Sequence, residues 1–218
     1  VHKLLLDHLG ACELAAVIGY SYGGYLTFQW GVTYPTRMRA LVPVATGITG
    51  RGNESTVREL EKQFKSAAGW NGGHYYEGGD GVGDALIEFR SNVLRNYGVV
   101  AELRDRGLDE AAVEAQLQLQ AAKWAAEFDA NSLIVLRRCA TKYDAKPESS
   151  EITAPLLYIL STTDTLFGPE LGEPTVAHIR KMAGSDATYH ELESPYGHRA
   201  PSVDSAKWAD VLERFLNT

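Results

Sequence analysis

Residues 15–30, Ala-Ala-Val-Ile-Gly-Tyr-Ser-Tyr-Gly-Gly-Tyr-Leu-Thr-Phe-Gln-Trp, constrain this chain more than any other stretch. The wholly apolar run from Leu14 to Ile18 suits a buried parallel strand, because such a strand is covered on both faces. It enters a turn framed by Gly19, Gly23 and Gly24 and leaves as a predicted helix, Tyr25 to Tyr34, that must stop before Pro35. Ala40 to Ala45 is a second apolar strand. Strand, turn, helix and strand in that order form the repeating unit of an α/β fold. Ahead of it, Leu4, Leu5, Leu6 and Leu9 fall at helical spacing, with Gly10 as a stop.

The texture changes after Gly50. As far as about Asp144 the chain reads as helical, above all over Leu108 to Phe128, interrupted by a glycine-dense loop from Gly69 to Gly83. The α/β rhythm returns past Pro155, with strands at Leu156 to Leu160 and Ala187 to Leu192 and helices at Thr175 to Ala183 and Ser205 to Leu216. The expected organisation is a split α/β core, 1–49 plus 150–218, carrying a helical insertion at 50–149. No internal repeat is visible.

Composition narrows the functional classes. A chain of 218 residues, 44% of them hydrophobic, can bury a sizeable core. The net charge of -7 argues against nucleic acid or an anionic membrane as partner. No apolar stretch approaches the ~20 residues of a membrane span, and the first residues lack the organisation of a secretory signal. Cys12 and Cys139 make neither a disulfide scaffold nor a zinc motif, so no metal is expected and a reducing cytoplasm is the expected setting.

Ser21 is the chemical focus. On a strand–turn–helix corner, small residues two before and two after a serine let the backbone turn sharply. The hydroxyl then stands at the carboxyl end of the sheet, beside a helix N-terminus, and the amide of Tyr22 supplies one oxyanion donor. The bland alternative is an ordinary glycine turn. A serine needs a base, itself oriented by an acid. In this architecture both follow in chain order, each past a later strand. Asp164, in Ser-Thr-Thr-Asp, and His198, in Tyr-Gly-His-Arg, stand at those places. Asp186 and Asp204 do not follow strand ends. His2, His8 and His178 lie on predicted helices as solvated residues, His190 alternates within a strand, and His74 lies in the glycine-rich loop with no acid to orient it. That loop lacks the ending of a phosphate-binding P-loop, and the acidic helices from Asp105 to Glu127 read as a solvated surface.

From the helix before Ser21 through Gly47, the sequence resembles the elbow region of the homoserine O-acetyltransferase family of α/β-hydrolases. Trp-Asn-Gly-Gly-His-Tyr-Tyr (70–76), the segment 128–144, Ser-Thr-Thr-Asp-Thr-Leu-Phe (161–167) and Gly-His-Arg-Ala (197–200) resemble later family blocks in the same order. The resemblance implies an α/β-hydrolase fold with a mostly parallel sheet, residues 50–149 as a helical cap, and a Ser21–His198–Asp164 triad. It implies acyl transfer through an acyl-enzyme, with acetyl-CoA or another acyl-CoA as co-substrate, a hydroxyl acceptor and no bound cofactor. Arg90 and Tyr97, in Arg-Ser-Asn-Val-Leu-Arg-Asn-Tyr, keep the family's spacing for a substrate carboxylate, which an arginine fork suits. A helix-surface arginine is the alternative. Dimers are common in the family.

Two departures bear on the substrate. Tyr20 and Tyr22 flank the serine where the family usually has glycine and methionine. Arg199 stands where the family has an aspartate that holds the homoserine ammonium. Two facing cations repel by about 4 kcal/mol at about 4 Å in an effective dielectric of about 20, so the expected acceptor is not homoserine. Water is the alternative acceptor, which makes the activity that of a carboxylic-ester hydrolase; a non-catalytic binding protein of this fold is a third reading. About four strands precede the elbow strand in a full sheet of this type, and one of their loops gives the second oxyanion amide. An apolar parallel strand at an uncovered edge is avoided, so the upstream half is expected from a second chain or a further segment.

Overall fold

The structure, a computed structural model, describes residues 1–77 and 80–217. Helix α1 (His2–His8), strand β1 (Val17–Tyr20), helix α2 (Tyr22–Thr33) and strand β2 (Leu41–Val44) come first. Among the described residues, helices α3 (Glu54–Lys65), α4 (Asp80–Asn96), α5 (Val99–Asp105), α6 (Glu110–Ala125) and α7 (Ala130–Lys142) follow. Strand β3 (Leu156–Ser161), helix α8 (Gly172–Ala183), strand β4 (Ala187–Leu192) and helices α9 (Ala200–Val203) and α10 (Ala206–Leu216) complete the chain. These divide into two compact units, one of 1–49, 144–194 and 200–218, the other of 50–143 together with 195–199.

Among the described residues, the first unit is built on a four-stranded sheet in the order β1-β2-β3-β4, every pair parallel. Every residue of β2 and β3 is buried, as strands covered on both faces must be. Phe28 of α2 meets Tyr158 of β3 edge-on, centroids 5.7 Å apart. The Tyr158 hydroxyl donates to the Thr46 carbonyl, which satisfies a polar group taken wholly out of water. The strand expected at Leu14–Ile18 begins instead at Val17; Leu14 makes only an isolated bridge to Met38. Edge strand β1 leaves Ile18 50% and Tyr20 43% exposed, and α1 buries no residue.

The second unit is helical. Leu60, Phe64, Trp70, Val82, Leu86, Ala130 and Ile134 form one core; Leu94, Val99, Leu103, Val113, Leu117 and Ala121 form another. The glycine-dense loop is shorter than its composition implies. Residues Asn71–Gly73 form a 3-10 turn and α4 has begun by Asp80, while Gly78 and Gly79 of that loop lie outside the described residues.

Asp129 joins this segment to α7. Its carboxylate caps the helix by accepting from the Ser132 amide and also accepts from the hydroxyls of Tyr75 and Tyr76, the latter at 3.0 Å. Burial pushes the carboxyl up, but the hydrogen bonds from Tyr75, Ser132 and Tyr76 outweigh it and bring the pKa down to about 2. Burial and the bond to Asp129 push the Tyr75 hydroxyl up to about 12. Because the folded pKa lies below the ordinary 3.8, the contribution of Asp129 is complete above that value and is lost as pH falls through about 2. Replacing Asp129 by Ala removes the cap and is expected to cost about 1 kcal/mol in urea unfolding at neutral pH. The gap between the two proteins should close as the pH is lowered from about 4 to about 2.

Candidate active site

The corner at Ser21 is made by contacts that exclude a β-carbon. A Cβ on Gly19 would lie 2.1 Å from the Gly23 carbonyl oxygen and 2.3 Å from Thr27 Oγ1, so β1 and the first turn of α2 approach only because residue 19 has no side chain. A Cβ on Gly24 would lie 2.3 Å from Thr46 Cγ2. A Cβ on Gly23, the expected partner of Gly19 in the turn, would meet nothing within 4 Å among the described residues; Gly23 contributes its carbonyl, which accepts from Thr27 Oγ1 at 3.1 Å.

Ser21 itself has φ 55° and ψ −116°, a conformation that costs a non-glycine residue about 1–3 kcal/mol. Its amide donates to the Val44 carbonyl at 2.9 Å, and its side chain does not cap the helix it precedes. Tyr22 opens α2, so its amide belongs to the first turn, where N–H groups have no intrahelical acceptor. The Tyr22 ring meets Tyr25 edge-on at 5.7 Å, and Tyr25 meets Phe167 at 5.9 Å. This aromatic ladder joins the elbow helix to the loop that carries Asp164.

Asp164 is buried three residues beyond β3. Its Oδ1 accepts from the amides of Leu166 at 2.8 Å and Phe167 at 3.3 Å, so its own loop fixes the carboxylate plane. The ends of β3 and β4 are tied together just beside it. Thr163 Oγ1 donates to the Ser194 carbonyl at 2.7 Å, and the Ser194 amide donates to Thr162 Oγ1 at 3.2 Å. Neither threonine nor Ser194 stands out in the sequence, where they read as ordinary polar loop residues.

His198, four residues past Ser194, is buried on a 3-10 turn, Gly197–Arg199, in the helical unit. Its ring lies 4.7 Å from that of Tyr97, centroid to centroid. The Arg199 amide donates to the Tyr97 carbonyl at 3.0 Å, and its guanidinium donates to Glu102 Oε2 from Nη2 at 3.0 Å and Nε at 3.3 Å. Tyr196 donates its hydroxyl to Asp105 Oδ2 at 3.0 Å, so that end of the acidic stretch is a partner rather than a purely solvated surface. Arg90 lies over the rings of Trp124, at 5.1 Å, and Tyr97, at 5.9 Å, an arrangement that holds a guanidinium by its faces. Glu102 and Trp124 are contacts that no local sequence signal revealed.

The rival residues have other engagements. Asp204 pairs with Lys207 at 2.9 Å. His178, expected to be solvated, is half-buried with Nε2 at 2.9 Å from the buried Ser149 Oγ. His190 has its pKa lowered by burial and by the Arg214 charge. Among the described residues, no group of three or more His, Cys, Asp and Glu side chains could hold a metal ion, and no helix is long and apolar enough to cross a membrane.

Comparison with known proteins bears on this geometry. The family described as alpha/beta hydrolase fold matches residues 1–201. The chain belongs to the α/β-hydrolase family. This α/β hydrolase is similar to a homoserine O-acetyltransferase of Desulfotalea psychrophila, 30% identical over 244 residues that cover 98% of this chain and 60% of the relative. Among solved structures, a homoserine O-acetyltransferase from Bacillus anthracis superposes with a TM-score of 0.84 at 21% identity, over 100% of this chain and 63% of the other. Esterase E22 superposes with a TM-score of 0.82 at 21% identity, over 99% and 64%. The curated relatives that the α/β hydrolase matches are longer; it spans between 48% and 62% of their lengths.

The elbow makes a steric prediction. Gly19→Ala should destabilise the protein by about 1–3 kcal/mol, the usual cost of overpacking. Gly23→Ala should lie within about 1 kcal/mol of the parent in either direction, since helix propensity favours it and nothing blocks it. Urea midpoints of the two variants check both.

Proposed function

We propose that this chain carries the reactive centre of a serine-dependent enzyme that moves an acyl group through an acyl-enzyme. Ser21 is the nucleophile, His198 the general base and Asp164 the acid that orients it, with the Tyr22 amide as one oxyanion donor. The observation that carries this is the strained Ser21 backbone at the start of α2, beside a close approach of β1 to α2 that only a glycine at residue 19 allows. Support comes from the prefixed Asp164 carboxylate and from the tie between Thr163 and Ser194, four residues ahead of His198. The relatives named homoserine O-acetyltransferase and the structural likeness to an esterase fit the same chemistry.

In the first half-reaction Ser21 Oγ attacks the acyl carbonyl while His198 takes its proton. The tetrahedral oxyanion faces the Tyr22 amide and collapses, and the leaving group departs with the proton from His198. In the second, His198 takes a proton from the incoming hydroxyl, whose oxygen attacks the acyl-enzyme; Ser21 leaves and recovers a proton. The donor we assign is an acyl-CoA thioester, acetyl-CoA above all, or a small acetate ester. Arg90, flanked by Tyr97 and Trp124, suits a carboxylate on the substrate.

The acceptor turns on position 199. The guanidinium of Arg199 is paired with Glu102, so the bare cation expected from the sequence is offset, and the carboxylate beside position 199 is already occupied by Arg199 rather than offered to an ammonium group. That favours an acceptor other than homoserine, and water as a second candidate, which is the ester-hydrolase reading. Strand β1 lies at the sheet edge among the described residues with Ile18 half-exposed, and we propose that a further β-segment, from a longer chain or a second one, covers it in the active protein.

A fluorophosphonate probe should label the intact protein at Ser21, as peptide mapping would show, and Ser21→Ala should abolish labelling. His198→Ala should slow it by about a thousandfold or more. Acetate-ester hydrolysis or acyl-CoA consumption should depend on both residues. A wild-type protein that the probe leaves unlabelled with the covering β-segment present is a binding protein of this fold and not an enzyme of this kind.

A further inference from the structure

The turn that carries His198 is fastened to the α4–α5 segment on both of its sides. Gly98, between α4 and α5, has φ +91° and lies so close to Tyr196 that a Cβ on it would meet the Tyr196 carbonyl oxygen at 2.2 Å. Its neighbour Tyr97 receives the Arg199 amide on its carbonyl, and its ring faces the His198 imidazole. One turn further along α5, Glu102 takes both Nε and Nη2 of Arg199 on a single carboxylate oxygen, and Asp105 takes the Tyr196 hydroxyl. The residues on either side of Gly197–His198 are therefore both tied to the α4–α5 segment.

A 3-10 turn of three residues has little internal hydrogen bonding to define it. The direction in which it points a side chain depends on what holds its ends. At one end the Tyr196 hydroxyl bond is exposed. At the other, the Glu102–Arg199 pair is half-buried, with side-chain exposures of 20% and 39%, and its hydrogen bonds carry charge on both sides. Charge-assisted bonds are about twice as strong as neutral ones, and Arg199 adjoins the histidine directly.

We infer that Glu102 and Arg199 form a positioning pair that fixes the direction of the His198 imidazole, so that α5 sets where the base stands. This rests on the reading of His198 as the base. Neither side chain touches the reacting atoms in this account; both act through the backbone of the turn. The position that the family resemblance associates with holding a substrate amine serves here to hold the catalytic turn.

The test uses the intact protein and two variants. Glu102→Gln keeps the shape and an acceptor but loses the charge; Arg199→Lys keeps the charge but loses the fork. Each is assayed for acetate-ester hydrolysis, for the rate of fluorophosphonate labelling, and for melting temperature. With thermal stability near that of the parent, Glu102→Gln should lower kcat by about tenfold, well inside the roughly hundredfold that a small misplacement of a reacting group can cost. KM should stay within about twofold, because substrate binding is not the lost interaction. Labelling should slow by the same factor as kcat, and Arg199→Lys should fall between the two. Wild-type kcat and labelling in both variants would overturn the inference and leave the Ser21 reading standing. A rise in KM with kcat unchanged would also overturn it, by making the pair a substrate contact. A parent protein that the probe does not label removes the base assignment and the inference together.

Discussion

The approach of one backbone to another at Gly19 governs the rest of the sheet unit. Strand β1 and helix α2 are separated by a single residue, Ser21, and this sharp reversal is possible only because the Gly23 carbonyl occupies the space that a side chain at residue 19 would take. The same constraint places Ser21 at positive φ and hands its amide to β2 through Val44. From there the parallel ladder carries the alignment to β3 through the Ala45 amide, which donates to Ile159 at 2.8 Å. The aromatic ladder Tyr22–Tyr25–Phe167 carries it to the Asp164 loop. Strain at one residue is thus maintained by a well-packed neighbourhood, as strained functional positions require.

The middle of the sheet is visible in the sequence because β2 and β3 are buried on both faces. Leu156–Ser161 falls where its apolar run puts it, and Ala187–Leu192, buried only at its two ends, falls where strand alternation and its flanking residues put it. Boundaries go astray where tertiary contact overrides local signal. Leu14 and Ala15 look like strand, but only Val17–Tyr20 pairs with β2, and Leu14 bridges Met38 ahead of that strand. The helix after Ser21 starts three residues earlier than composition implies: Gly24, which would weaken a free helix, is demanded by its close approach to Thr46, and Gly23 shares the same first turn with open space beside it. Helix α4 likewise takes up glycines of the loop before it, with Val82 and Leu86 buried in a helical core that the glycine count conceals.

The candidate residues show the same division. A serine in a glycine frame and an aspartate past a buried strand carry local signals, and both stand on the elements expected of them. The contacts that hold the histidine turn do not. Glu102 lies 97 positions from Arg199 in the chain and Asp105 lies 91 from Tyr196, and each looks like one more charge on an amphipathic helix. Nothing in residue spacing announces a partner at that distance. What distinguishes them is that the turn they hold contains a fully buried imidazole, whose orientation must be specified by something.

The most direct measurement of the central claim is a crystal structure of the intact protein carrying a phosphonate trapped on the serine. Phosphorus is expected to be bonded to Ser21 Oγ, with the phosphoryl oxygen facing the Tyr22 amide and His198 within about 2.6–3.2 Å of both the serine oxygen and the Asp164 carboxylate, one ring nitrogen to each. An adduct on any other residue, or an imidazole that reaches neither neighbour with the phosphonate in place, would contradict it.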